Sequence, residues 1–193
     1  MTKKHKTSVK ESAFFLKNAF LKPKQVGYIF PSTQALIKAI AKQAQLDKAK
    51  HIVELGPGTG GTTKGILAQM QDDAELAAVE INKDFIEFLA KSIDDKRLKL
   101  VHDGAQNLKQ IIKDQGWKAA DVVISGIPFS TLPKNIAGEI MQSIYDSIKP
   151  GGLFVAYQLR DRVGKLATPH FGKAKVKWEY KNFPPMRIFV WQK

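Results

Sequence analysis

Three carboxylates and three glycines between residues 54 and 103 have the types and spacing to hold a polar ligand. Glu54 opens the run Glu54-Leu-Gly-Pro-Gly-Thr-Gly60, Glu80 follows, and Asp103 lies in His102-Asp-Gly104. Gly56, Gly58 and Gly60 let the backbone turn tightly and approach a ligand closely, because no Cβ stands in the way. A carboxylate at Glu80 can accept hydrogen bonds from both hydroxyls of a ribose, and Asp103 can accept from an amino group such as that of adenine. Each acid also has a plainer use, Glu80 as a solvated strand end and Asp103 as a helix cap. The dinucleotide fingerprint G-x-G-x-x-G is met by Gly56, Gly58 and Gly61, but Glu54 and Gly60 are not part of it. A second constellation is Ser125-Gly-Ile-Pro-Phe129. Pro128 fixes the chain and removes a donor, which leaves carbonyls free to face a ligand. The competing use is a tight proline turn with Phe129 packed inside.

The elements that must position these residues follow from the hydrophobic pattern. Short apolar runs at His51–Leu55, Leu76–Glu80, Leu98–His102, Val122–Ser125 and Leu153–Leu159 predict strands. Helices are predicted between them over Gly61–Met70, Lys83–Ile93, Leu108–Lys113 and Asn135–Ile148, and strand–helix alternation of this kind makes a parallel sheet covered on both faces. The tail predicts two more strands, Ala174–Tyr180 and Arg187–Gln192, joined through Asn182-Phe-Pro-Pro185. The expected fold is therefore α/β, a seven-stranded, mostly parallel sheet with helices on both faces and a C-terminal antiparallel hairpin. Glu80 and Asp103 then end strands, and Glu54 lies just before the end of its own, at one edge of that sheet, where open α/β sheets bind their ligands.

Residues 47–193 form the expected catalytic domain, and residues 1–46 an N-terminal basic, helical extension. Within it, Val9, Ala13, Phe14, Leu16, Phe20 and Leu21 recur at helical spacing among seven lysines and one acid in the first 24 residues. That pattern predicts a basic amphipathic helix over residues 8–22, suited to an anionic membrane surface or to capping the fold. It stops before Pro23. Gly27-Tyr-Ile-Phe-Pro-Ser32 reads as a loop, with Ser32 capping a helix that runs to about Leu46 and shows Leu36, Ala39 and Ile40 on one face. A net charge of +13 favours polyanionic partners, nucleic acid or membrane. The absence of cysteine excludes disulfides, thiolate metal sites and cysteine nucleophiles, and no His/Asp/Glu cluster has metal-ligand spacing. No apolar run reaches the roughly 18 residues of a membrane span. The Lys-rich N-terminus lacks the apolar core of a signal peptide, so a cytoplasmic location at the inner face of the membrane is expected.

On these motifs residues 50–193 resemble the class I S-adenosylmethionine-dependent methyltransferases. The resemblance implies S-adenosyl-L-methionine as cofactor, with Glu54, Gly56, Gly58 and Gly60 near its methionine end and Glu80, Asp103 and Gly104 at ribose and adenine. Two families share Ser125-Gly-Ile-Pro-Phe129. Ribosomal RNA adenine dimethylases carry Asn-Ile/Leu-Pro-Tyr/Phe, in which the Asn accepts from the adenine amine and the aromatic stacks on the flipped base. Aligned on Pro128 and Phe129, that Asn falls on Gly126, which has no side-chain acceptor. The chain is more similar to bacterial phospholipid N-methyltransferases, which act on phosphatidylethanolamine and its methylated derivatives. The similarity lies in the basic N-terminus, Gly27-Tyr-Ile-Phe-Pro-Ser-Thr33, Ser125-Gly-Ile-Pro-Phe129 and Asn182-Phe-Pro-Pro185, with bulky Tyr28 departing from a small residue. It implies a phospholipid substrate, acceptor residues Tyr28, Ser125, Gly126 and Pro128, and an anionic membrane partner met through residues 8–22. RNA remains the alternative partner, and no obligate protein partner is evident. Tyr157, Arg160, His170 and Arg187 are further candidates for head group or phosphate. Against these stand a core role for Tyr157, a surface role for His170 in a loop, and a surface charge pairing of Arg160 and Arg162 with Asp161.

Overall fold

Strands that are apolar on both faces can only be buried between two layers of helix, and the chain folds accordingly. The computed structural model describes residues 33–193; the expected helix over 8–22 and Tyr28 lie outside them. The described chain runs α1 (Gln34–Gln43), β1 (His51–Leu55), α2 (Gly61–Leu67), β2 (Glu75–Glu80), α3 (Lys83–Ser92), β3 (Leu98–His102), α4 (Leu108–Asp114), β4 (Ala120–Ser125) and α5 (Lys134–Ser147). It continues through β5 (Ile148–Gln158), α6 (Arg162–Phe171), β6 (Lys175–Glu179) and β7 (Met186–Gln192).

The seven strands form one sheet in the order β3-β2-β1-β4-β5-β7-β6. β1 pairs in parallel with β2 and β4, and those with β3 and β5. β7 is antiparallel to both β5 and β6. Side-chain alternation sends Val53 and Leu55 into one core with Ile111, Ile140, Ile144 and Val163. Ile52 goes to the other face, with Leu36 and Ile40 of α1 and Ile66 of α2. Residues 33–46, grouped by sequence with the extension, thus pack on the sheet. Because the five parallel strands are in register, the ends of β1, β2, β3, β4 and β5 fall at one edge. The glycine run, Glu80, Asp103 and the Ser125–Phe129 loop all leave from there.

Three local expectations are corrected. Thr33, not Ser32, caps α1, its side chain accepting from Leu36 N at 3.2 Å; Asn182 Oδ1 fixes the same residue by accepting from Thr33 N at 3.1 Å. α1 ends at Gln43 rather than Leu46, and residues 44–46 turn to bury Ala44 and Leu46. Residues 162–171 are helical, so His170 lies in a helix and not in the expected loop. Val163, Leu166, Ala167 and Phe171 pack on the core at helical spacing, and that burial outweighs the unfavourable Gly164 and Pro169.

α1 and α2 meet at Gly65, where an added Cβ would lie 2.1 Å from Ile37 Cγ2. Alanine is the better helix former by about 1 kcal/mol, but here it overpacks the contact. Gly65→Ala is expected to lower stability by about 1–3 kcal/mol, and chemical denaturation of the variant measures it. A gain in stability would show that the two helices do not meet at this glycine.

Candidate functional site

The loop after β1 needs glycine for conformation at three places. Gly56, Gly58 and Gly60 have φ of +74°, +55° and +82°, a region that L side chains rarely adopt. Their surroundings differ. A Cβ at Gly60 would lie 2.5 Å from Leu89 Cδ2, whereas one at Gly58 would meet nothing within 4 Å. Gly60 is thus also demanded by packing under α3, while Gly58 leaves open space beside the backbone.

Glu80 holds this loop. Its carboxylate is 2% exposed and accepts from Gly58 N at 3.2 Å and from Asn82 N at 2.9 Å, one bond on each oxygen. Burial raises its pKa, and these backbone donors oppose the rise. A carboxylate oxygen can accept twice, so each retains capacity for a ligand hydroxyl. Asp103 Oδ1 accepts from Gly104 N at 2.6 Å and Asn107 Nδ2 at 2.8 Å, closing the turn before α4. Asp103 therefore braces a turn rather than capping a helix, and Gly104 donates to it. Gly56, Glu80, Asp103, Ile127 and Pro128 line one cleft, with apolar walls from Val79 and Ala105.

Glu54 lies on the α1–α2 face of β1 and is wholly buried. Neither carboxylate oxygen forms a hydrogen bond among the described residues, and neither does Thr63 Oγ1. Burial raises the Glu54 pKa to about 7; the nearby Thr63 hydroxyl tempers the rise and the charge of Glu80 adds to it. On the same face the Tyr157 hydroxyl is 3.2 Å from Thr62 Oγ1. That hydroxyl is buried although the ring is partly exposed, and burial followed by the charge of Glu54 pushes its pKa upward. Thr62 and Thr63 escaped the sequence reading; the available signal was two hydroxyls on the first turn of α2, directly after the glycines.

The acceptor loop differs from expectation. Ser125 is buried, and its Oγ accepts from Ile127 N at 3.2 Å, so it braces the turn. The carbonyls that Pro128 was expected to leave free are in use. Ile127 O accepts from Phe129 N and from the buried Gln158 Nε2, and Pro128 O accepts from Thr131 N and Thr131 Oγ1. Only Gly126 O, among the carbonyls of residues 126–128, takes no bond from the described residues. Phe129 is completely buried, the packed-turn alternative. Gly126 donates to Leu55 O at 3.0 Å, and a Cβ on it would lie 2.5 Å from the Tyr157 hydroxyl. Gln158 was missed as well; a lone amide at the end of an apolar strand was its signal.

The remaining candidates are dispersed. Arg162 donates to Ser130 O at 3.4 Å and Leu132 O at 3.1 Å, which braces the acceptor loop and corrects its surface charge pairing. Arg160 is exposed at the end of β5. His170 sits in the last turn of α6, its ring 5.8 Å from Tyr145. Arg187 lies over the Trp178 ring at 4.6 Å. Among the described residues no group of three His, Cys, Asp or Glu could hold a metal, and no helix is long and apolar enough to cross a membrane.

Comparison with known proteins gives these features a context. Residues 19–172 match the family model described as ribosomal RNA adenine dimethylase. The chain is 26% identical over 179 residues to an ornithine lipid N-methyltransferase of Singulisphaera acidiphila, covering 92% of this chain and 93% of that one. It is 28% identical over 171 residues to ribosomal RNA small subunit methyltransferase A of Malacoplasma penetrans, covering 89% of this chain and 56% of that protein. The chain thus spans only about half the length of that ribosomal relative. A crystal structure of the 1,6-didemethyltoxoflavin-N1-methyltransferase of Burkholderia thailandensis, with 1,6-didemethyltoxoflavin and S-adenosylhomocysteine bound, superposes with a TM-score of 0.68 at 13% identity over 100% of this chain and 93% of that one. It shares the fold.

The state of Glu54 sets a pH dependence. Its folded pKa of about 7 lies above the ordinary 4.5, so the folded state holds more protons between those values. Stability is present below about 4.5 and is lost as pH rises through 7. Between about pH 5 and pH 8 the ligand-free protein is expected to lose about 2–3 kcal/mol relative to Glu54→Gln. Denaturant unfolding of both proteins at the two pH values tests this; a constant difference would mean Glu54 is not held unpaired.

Proposed function

The chain belongs to the ribosomal RNA adenine dimethylase family and is a class I S-adenosylmethionine-dependent methyltransferase, and on that premise we propose that its methyl acceptor is the amine of a phospholipid head group. The substrates in this reading are phosphatidylethanolamine and its methylated derivatives at the membrane surface. One observation carries it: the Tyr157 hydroxyl occupies the space where a side chain at Gly126 would begin. The side-chain acceptor for an adenine amine is thereby replaced by a hydroxyl from β5. The burial of Phe129, which leaves no ring face for a base, supports the same reading, as does the end-to-end match to a lipid N-methyltransferase.

The residues present fit S-adenosylmethionine. A buried carboxylate without a donor is costly, and Glu54 is where the ammonium of the methionine moiety would be held. Gly56, Gly58 and Gly60 would accommodate that moiety, Glu80 the ribose, and Asp103 and Gly104 the adenine end of the cavity. When bound, the cofactor supplies an electrophilic sulfonium methyl and departs as a neutral thioether. The chain's own task is to orient a neutral amine in line and exclude water. Gly126 O, the free carbonyl of its loop, accepts an amine N–H, and the Tyr157 hydroxyl fixes the other side. Ser125, Gln158 and Arg162 keep the loop rigid, and Pro128 forms its wall toward the cavity. Tyr28 and the basic segment 8–22, outside the described residues, complete the head-group site and the contact with an anionic membrane.

Two measurements test the reading. Vesicles containing phosphatidylethanolamine, incubated with protein and methyl-labelled S-adenosylmethionine, are expected to yield labelled monomethyl and dimethyl lipids by thin-layer chromatography. Vesicles of ornithine lipid present another primary amine and measure head-group choice. Label in ribosomal RNA and none in either lipid would replace the proposal with the RNA alternative. Separately, Glu80→Ala is expected to weaken cofactor affinity by roughly 1.5–3 kcal/mol and to erase discrimination against a 2′-deoxy analogue. Equal discrimination by both proteins in calorimetry would refute the ribose contact.

A further inference from the structure

β6 is the edge strand of the sheet, and the residues Lys175–Trp178 are exposed on both of its faces. Alternation places Val176, Trp178 and, just beyond the strand, Tyr180 on one face. They are 46%, 45% and 73% exposed. Apolar and aromatic side chains grouped on one face and left open to water are a liability for a protein that stays in water. Around it stand Lys173, Lys175, Lys177 and Lys181, all exposed, against Glu179 alone. None of these lysines forms an ion pair among the described residues.

The position of this patch is set by strand register. Trp178 is paired with Arg187, Arg187 with Gln158, and Gln158 donates to Ile127 O in the acceptor loop. Two strand spacings, about 10 Å, therefore separate the exposed aromatics from the end of β5 that braces the loop. The patch and the acceptor loop share one edge of the sheet.

We propose that Val176, Trp178 and Tyr180 with the surrounding lysines form a membrane-docking surface, which seats the acceptor loop over an anionic bilayer. The inference rests on the lipid reading of the acceptor and adds a contact made by the folded domain, separate from residues 8–22. The chemistry favours a bilayer over a nucleic acid. A base stacks on an open ring face, but one face of Trp178 is taken by the Arg187 guanidinium at 4.6 Å and Tyr180 stacks beside it at 5.9 Å. The rest of the patch is the exposed Tyr180 and an aliphatic Val176, ringed by lysines. Tryptophan and tyrosine settle at the head-group level, while lysines meet anionic phosphates there.

The protein carries its own probe. Trp117 and Trp191 are 6% and 2% exposed, so Trp178 is the accessible tryptophan. Titration of the full chain with phosphatidylethanolamine–phosphatidylglycerol vesicles bearing brominated acyl chains is expected to quench and blue-shift its emission. Trp178→Phe should abolish that change while still sedimenting with vesicles. Trp178→Ser with Tyr180→Ser should weaken vesicle binding on the order of tenfold and slow methylation of vesicle lipid, with S-adenosylmethionine affinity unchanged. Sedimentation with vesicles but no quenching would overturn the inference. So would quenching by single-stranded RNA alone, or a double variant that methylates vesicle lipid as fast as wild type. Quenching without any lipid product would keep the docking surface and overturn the substrate reading instead.

Discussion

Burying a carboxylate in the central strand of a sheet costs more than most single contacts in a small domain return. Glu54 is buried there with neither oxygen hydrogen-bonded among the described residues. The surrounding structure is arranged around this charge rather than relieving it. β2 and β4 flank β1 in parallel, so the strand cannot move to expose it. Thr62, Thr63 and Tyr157 bring hydroxyls to the same face, yet Thr62 and Tyr157 face each other. A site in this state favours a ligand that brings a positive charge, and its energy is recovered on binding. That is the logic of a preorganised cofactor site.

The two faces of the sheet divide the work. Glu54 and Tyr157 lie on the side of α1 and α2, whereas Ser125, Gln158, Phe129 and the α6 residue Val163 belong to the other side. Gly126 stands where the two meet. Its missing side chain lets Tyr157 reach the acceptor loop from the cofactor face. The same loop is fixed from the opposite face by Gln158 and Arg162. The acceptor loop is thus held from both layers of the domain, and relative rigidity of the layers is what orientation requires. Glu80 supplies part of it, because one carboxylate ties the glycine loop and the start of α3 to the end of β2.

Where side-chain period and local breakers decide structure, the sequence was readable. β1 and β3 have the bounds their apolar runs imply, and the acids at 54, 80 and 103 lie where strand ends place them. α6 was hidden because Gly164 and Pro169 argue locally against helix, and only burial of Val163, Leu166 and Ala167 against the sheet overrides them. The carbonyl of Ile127 was misjudged for a related reason. Proline does remove a donor, but Gln158 lies 31 positions further along the chain, and no local pattern announces that it returns to fill the acceptor. Ser32 and Thr33 are equivalent caps by type; the choice of Thr33 is made by Asn182, 149 positions away.

A charge of +13 suits RNA and anionic lipid equally, so electrostatics cannot choose between the proposed lipid acceptor and the RNA alternative. The choice rests on uncharged geometry. A flipped base needs an exposed ring to stack on and an acceptor for its amine, and Phe129 is buried while Gly126 offers no side chain. A lipid amine needs less, since its head group is small and the bilayer already confines it to a plane. For such a substrate the protein must position itself relative to that plane more than it must grip the molecule. On the lipid reading proposed above, exposed Trp178 and Tyr180 at the same edge as the acceptor loop cease to be a liability. They are the feature expected of a domain whose substrate arrives from a surface rather than from solution.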